Sequence, residues 1–259
     1  MELTIKGLKS NGEIYQKEIE SDIESIYLKN EQLISVDLSP LVECEKLRII
    51  NLSNNQLSSI SFPSFKEGNK IWGIFLEDNQ ITSIDFTPLE QCYNLVRFWM
   101  TKNKLEAIDF TPVKNWSKIE SLSIAGNQLR SLDLEPLKHW HNIAVLDLEQ
   151  NKLAKIDLKP ISNCKNLWSL NLSDNNLSTI DFAPIEHCKK LEWLYFEDNS
   201  IKTVNLAPLA GCENLYKISF DEEITFQWQS KKLMKKELPI ALRNHFRKLK
   251  IAQRQFNKK

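Results

Sequence analysis

The chain has 259 residues, 42% of them hydrophobic and 26% charged, with 34 Lys/Arg balanced by 34 Asp/Glu. This composition is ordinary for a soluble folded protein, and no apolar run approaches the roughly 18–20 residues that cross a bilayer. The zero net charge averages an uneven chain: residues 228–259 hold eleven Lys/Arg and a single acid, Glu237, which leaves residues 1–227 at −10.

The opening stretch MELTIKGLKSNGEIYQ has no signal-peptide apolar core, so the expected location is cytoplasmic. Leu3 and Ile5 alternate with polar residues, Ser10-Asn11-Gly12 supplies a turn, and Ile14 to Ile19 run back. This predicts a β-hairpin cap over residues 1–22, placed to cover the open edge of the first repeat strand.

Residues 23–222 carry one pattern at a period of 24 without insertion. Its opening apolar residue falls at Ile23, Leu47, Ile71, Leu95, Ile119, Ile143, Leu167, Leu191 and Leu215. In the cleanest unit, Leu167, Leu170, Leu172, Asn175 and Leu177 spell L-x-x-L-x-L-x-x-N-x-L, and Ile180, Phe182, Pro184, Ile185 and Cys188 complete a second half. The asparagine recurs at Asn55, Asn79, Asn103, Asn127, Asn151, Asn175 and Asn199. On these residues the chain resembles the leucine-rich repeat family, in a 24-residue class with an I-D-F-x-P-L-x-x-C second half. The resemblance implies an α/β solenoid, a curved horseshoe with a concave parallel β-sheet of about nine strands and an irregular or short-helical convex side.

Within each unit, x-L-x-L-x predicts a short strand with its leucines inward. The asparagine amide is expected to satisfy backbone groups where the chain leaves the strand. Pro40, Pro88, Pro112, Pro136, Pro160, Pro184 and Pro208 suit the start of a helical turn, with Ser39, Thr87 and Thr111 as candidate caps. Asp37, Asp85, Asp109, Asp133, Asp157 and Asp181 precede those prolines and are read as local backbone acceptors. The second unit departs most, with Ser61, Ser64 and Gly68 replacing Asp, Pro and Cys, and its convex half is expected to be irregular. Cys44, Cys92, Cys164, Cys188 and Cys212 share one slot with Trp116 and Trp140. That sharing marks a buried packing position, and free thiols are expected there.

Residues 223–259 depart from the repeat. Ile224, Phe226 and Trp228 alternate like a capping edge strand. From Pro239 onward, Leu242, Phe246, Leu249 and Phe256 fall on one helical face, while Arg243, Arg247, Lys248, Lys250 and Arg254 occupy much of the rest. This predicts a basic amphipathic helix whose apolar stripe caps the solenoid.

Function is expected on the outward residues of the concave strands, since the others are committed to packing. Phe75, Arg97 and Trp99 form one aromatic cluster there and Trp193 and Tyr195 a second, with Trp168 and Tyr216 at its margin. Such residues are enriched at binding hot spots. Glu77, Glu149 and Glu197 place acid beside them, so a partner with basic and apolar anchors is expected. Catalytic constellations, phosphate-cradling glycine loops and convincing metal ligands are missing, and no cofactor or small-molecule substrate is expected. The family resemblance implies a non-catalytic protein-binding scaffold. Two alternatives stay open: a regulator of a small GTPase or phosphatase, by fold analogy alone, and an adaptor tethered to nucleic acid or anionic membrane by the basic tail.

Overall fold

The computed structural model describes residues 1–228 and 238–257. The chain forms two compact units, Met1–Leu129 and Arg130–Lys259.

In the first unit, β1 (Glu2–Lys9) and β2 (Ile14–Glu20) form an antiparallel hairpin. The repeats then supply β3 (Ser25–Tyr27), β4 (Leu33–Asp37), β5 (Ile49–Asn51), β6 (Gly73–Phe75), β7 (Arg97–Trp99) and β8 (Ser121–Ser123). Strands β3, β5, β6, β7 and β8 pair in parallel at an offset of 24 residues, as in Phe75 opposite Trp99. One turn of sequence therefore advances the chain by one strand. The central residue of each strand, Ile26, Ile50, Ile74, Phe98 or Leu122, is buried. The hairpin does not lie along β3 as the sequence suggested: β1 pairs antiparallel with β4, on the opposite side of the first repeat. The exposed edge of β3 is instead met by the Lys17 ammonium, which donates to the Tyr27 carbonyl at 3.1 Å.

The second unit contributes β9 (Val145–Asp147), β10 (Ser169–Asn171), β11 (Trp193–Tyr195), β12 (Thr203–Asn205), β13 (Lys217–Ser219) and β14 (Thr225–Gln227). Strands β9, β10, β11 and β13 again pair in parallel at the 24-residue offset. Ile224, Phe226 and Trp228 are buried as the alternation predicts. β14 nevertheless closes the last repeat by pairing with β12, not with the row of repeat strands.

The asparagine row binds repeat to repeat inside each unit. The Asn55 amide donates to the Leu28 and Leu52 carbonyls at 2.7 and 2.9 Å, while its oxygen accepts the Leu33 N–H at 3.0 Å. Asn79, Asn103, Asn127 and Asn175 repeat this exchange. The residue before each of Asn55, Asn79, Asn103, Asn127, Asn151, Asn175 and Asn199 has positive φ, from 51° at Asp174 to 64° at Gly126. A left-handed step is what turns the amide inward.

Every repeat proline lies in the first turn of a short 3₁₀ helix, as at Ser39–Glu43 and Ala183–Ile185. The preceding aspartates accept the N–H two residues on at 2.8–2.9 Å. Ser39, Thr87 and Thr111 do not cap these turns, because their own N–H and hydroxyl groups point back to Asp37, Asp85 and Asp109. Those bonds, from backbone first at Asp37 and Asp85 and from the hydroxyl first at Asp109, hold the three carboxyls below the usual carboxylate range. Between β5 and β6 no helical turn forms. Buried Phe62 and Phe65 fill that irregular segment.

All five cysteines are free and buried. The Cys188 thiol lies 3.7 Å from the Cys164 carbonyl and the Cys212 thiol 3.3 Å from that of Ile185. Burial pushes Cys92, Cys164 and Cys212 up to about 12 and Cys188 to about 11. They are packing groups, without the thiolate that reactive cysteines need.

The C-terminal helix is broken in two, α1 (Ile240–Arg243) and α2 (Phe246–Phe256). Leu242, Leu249 and Ala252 are buried, α2 rests on β14, and the Ala241 N–H donates to the Leu215 carbonyl at 3.2 Å. The apolar stripe thus closes the second unit, although the Phe256 side chain and the basic residues of 229–237 and 258–259 fall outside the described residues. The break at Asn244–His245 sets the His245 ring 4.9 Å from Phe220 and 5.9 Å from Phe226.

Burial, and then the nearby Lys248 ammonium, depress the His245 pKa. The imidazole stays neutral in the fold at pH values where the unfolded chain protonates it. Its contribution to stability is therefore complete above about pH 6.5 and is lost as pH falls toward the lower folded value. Unfolding midpoints in urea should drop modestly between about pH 7.5 and about pH 5.5, about one unit either side of the free imidazole. His245→Phe, which keeps the ring contacts, should remove most of that drop. An identical pH profile in both proteins would contradict this account.

Candidate functional site

Alternation along each repeat strand leaves its first and third residues facing away from the core. In the first unit this brings Phe75, Arg97 and Trp99 together. Phe75 and Trp99 meet edge to face at 5.2 Å, as adjacent parallel strands in register require. The Phe75 ring lies across Gly73, where a Cβ would stand 2.8 Å from its Cε2, so a side chain there would have to displace the ring. The Arg97 guanidinium sits 5.2 Å from the Trp72 ring and 5.9 Å from the Trp99 ring. Cation–π attraction to two indoles holds it in place. The sequence pattern suggests fully outward rings, but Phe75 and Trp99 are half-buried. They cover one another, and the Trp99 indole N–H donates to Ser121 Oγ at 2.9 Å.

In the second unit, Trp168, Trp193 and Tyr195 form a run, with ring separations of 5.6 and 6.1 Å. Lys217 lies 5.0 Å above the Tyr195 ring. Trp168 is 41% exposed and Tyr216, next to β13, is 63% exposed. These are large rings without a core to fill. Trp72 and Lys217 complete the two clusters. Trp72 stands one residue ahead of its strand and is missed by the strand pattern, whereas Lys217 opens β13 in the row that also holds Arg97.

The acids divide by role. Glu77, in the first unit, accepts the Ser53 hydroxyl at 2.7 Å and is half-buried. In the second unit, Glu149 accepts the Asn171 amide at 3.0 Å. Burial, then the charges of Asp147, Asp174 and Glu197, raise its pKa despite that bond. Glu197 is half-buried with one carboxylate oxygen fully buried and unpartnered among the described residues. Carboxylates crowded in this way favour an incoming cation.

Of the basic tail residues, Arg247, Lys248, Lys250 and Arg254 are exposed on α2. Arg243 is engaged: its Nε donates to the Leu238 carbonyl at 2.7 Å, which ties α1 to the segment before it. No group of three or more acidic, histidine or cysteine side chains able to hold a metal ion occurs among the described residues. Nor is any described helix long and apolar enough to cross a membrane.

No curated protein matches the chain. Among solved structures it is similar to an internalin (inlF) from Listeria monocytogenes, at 21% identity and a TM-score of 0.61, over 82% of this chain and 65% of that one. It is also similar to an internalin C2 (inlC2) from the same organism, at 21% identity and a TM-score of 0.63, over 77% of this chain and 81% of that one. The chain therefore spans just under two thirds of the first structure, and the likeness is one of fold. A BspA-type leucine-rich repeat region matches residues 17–143, and a leucine-rich repeat model matches 117–177 and 165–220. With the matched residues running from 17 to 220, the chain belongs to the leucine-rich repeat family.

Proposed function

We propose that the protein is a non-catalytic protein-interaction scaffold, gripping a partner on the outward faces of its repeat strands. One observation carries this reading: bulky aromatic rings occupy strand positions that face away from the core, at Phe75 and Trp99 in one unit and at Trp193 and Tyr195 in the other, with Trp168 beside them one residue ahead of its strand. Aromatic and arginine side chains of this kind dominate binding energy at interfaces. Crowded Glu149 and Glu197 favour a partner segment that carries Lys or Arg beside apolar anchors. Five buried free thiols fit a reducing, cytoplasmic setting.

Trp99→Ser and Trp193→Ser, singly and together, should weaken capture of the partner from lysate. Truncating a hot-spot ring costs ~2 kcal/mol or more, roughly thirtyfold in affinity. Unchanged capture by the double variant, with its fold intact, would move the interface elsewhere.

The exposed basic side of α2 supports a second reading, attachment of the scaffold to an anionic surface. Substituting Arg247, Lys248, Lys250 and Arg254 by Gln leaves the buried stripe in place, so liposome or RNA binding that survives it would end this reading. Nothing in the geometry singles out a GTPase or a phosphatase.

A further inference from the structure

Arg97 and Trp72 of the first aromatic cluster also border a group of cations that the aromatic reading does not use. Beside the amino ends of β5, β6 and β7 lies a depression of about 540 Å³, lined by Arg48, Lys70, Trp72, Asn94, Arg97 and Lys118 among others. No carboxylate lines it. Among the described residues, none of its four cations forms an ion pair with Asp or Glu. That is unusual for this chain, whose residues 1–129 carry 18 acids against 13 Lys/Arg. Elsewhere on the unit an adjacent-repeat cation does find its acid, as Lys46 finds Asp22 at 3.4 Å.

The groups are also held in place. Arg97 is fixed between the Trp72 and Trp99 rings. Lys118 donates to Asn94 Oδ1 at 2.6 Å, and Asn94 is itself anchored through its amide to the Asn69 carbonyl at 2.7 Å. Arg48 and Lys70 are exposed, and neither side chain donates to a protein acceptor among the described residues. Four cations around an indole wall, with two of them positioned by neighbours, suit several carboxylates presented close together.

We propose that this depression is a docking site for a short acidic segment of a protein, a run of Asp or Glu side chains. A nucleic acid is less suited: its backbone needs cations tracking over many residues, whereas these four are gathered at one place and the opposite end of the strands carries Glu77 and Asp78. The proposal is independent of the partner reading above. Failure of the Trp99 and Trp193 variants to lose capture would leave it untouched.

The test uses the full chain and a fluorescent, end-capped hexaglutamate peptide, with hexaglutamine and single-stranded oligouridylate as parallel probes. Hexaglutamate should bind with an affinity that falls as salt rises. Arg48→Gln/Lys70→Gln should weaken it roughly tenfold, the loss expected for two charge-assisted contacts. Lys250→Gln/Arg254→Gln should change it less than about twofold, since exposed tail charges act only over a screened distance. Circular dichroism of both double variants should match the unaltered protein. Equal binding by the Arg48/Lys70 variant, loss only in the tail variant, or absence of hexaglutamate binding would each overturn the proposal. Oligouridylate binding that depends on Arg48 and Lys70 while hexaglutamate does not bind would overturn it in favour of nucleic acid.

Discussion

Asn103→Ala is expected to lower the unfolding free energy by about 3 kcal/mol, which is large for removing one small side chain. The Asn103 amide donates to the carbonyls of Leu76 at 3.0 Å, Thr101 at 3.2 Å and Met100 at 3.3 Å, and its oxygen accepts the Ile81 N–H at 2.9 Å. Leu76 and Ile81 belong to the preceding repeat and Met100 to its own. Alanine would leave the buried Ile81 N–H unpaired, at ~1–3 kcal/mol, and would take one of two donors from each of the Leu76, Met100 and Thr101 carbonyls, which keep the Asn79 amide, the Asn127 amide and the Asp78 N–H. Because stacked repeats gain stability from nearest-neighbour interfaces, the loss falls on the term that holds the array together.

Asn103→Asp separates this account from a simple packing effect. Aspartate matches asparagine in shape, but its carboxylate turns an acceptor toward three carbonyl oxygens. It should cost more than alanine at pH 7. Protonation restores one donor, so the folded-state pKa at that site is raised. The stability regained is full below the unfolded value of about 3.9 and is lost as pH rises through the folded one. Urea midpoints of the two variants, compared at pH 7 and near pH 5, should converge on acidification. An aspartate variant as stable as the parent at pH 7 would mean that the amide is not needed as a donor.

These bonds also mark how much was legible in the chain. The 24-residue spacing is enough to place the repeat strands, the inward leucines and the asparagine row, because a strict period leaves the backbone one way to stack its turns. The left-handed step before each asparagine was visible only faintly, in the frequency of Asn, Asp and Gly at Asn54, Asp78, Gly126, Asp174 and Asp198. Lys102 and Gln150 adopt the same positive φ without that signal, since the flanking hydrogen bonds override their own preference. The ends were harder. Alternation identifies β1, β2 and β14 as strands but says nothing of which edge they join, and both ends pair with the outer strands β4 and β12. Phe75, Arg97, Trp99, Trp193 and Tyr195 followed from alternation, whereas Trp72 and Trp168 stand one residue ahead of their strands. The basic depression did not follow from it, because Arg48 and Trp72 stand one residue ahead of their strands and Lys70 and Lys118 three residues ahead, in rows that the outward alternation leaves out.

Trp116→Cys is expected to destabilise the protein by about 3–4 kcal/mol, although cysteine occupies the equivalent place in five other repeats. The indole is fully buried and donates to the Leu89 carbonyl at 3.2 Å. Its ring lies 5.6 Å from both Phe86 and Phe98, and Phe86 in turn lies 5.3 Å from Phe98 and from Phe110. This repeat has built an aromatic core around the larger side chain. A cysteine would leave a void those rings cannot collapse into without giving up their edge contacts, and it would remove the indole donor from the Leu89 carbonyl, which keeps only the Cys92 N–H. Cys92→Ala, one repeat earlier in the same slot, removes a single sulfur and should cost only about 1 kcal/mol. Urea midpoints for the two variants measure the contrast, and indole added to Trp116→Cys should restore part of the loss by filling the void. Equal costs would show that position in the repeat, and not the volume of the local core, governs the slot.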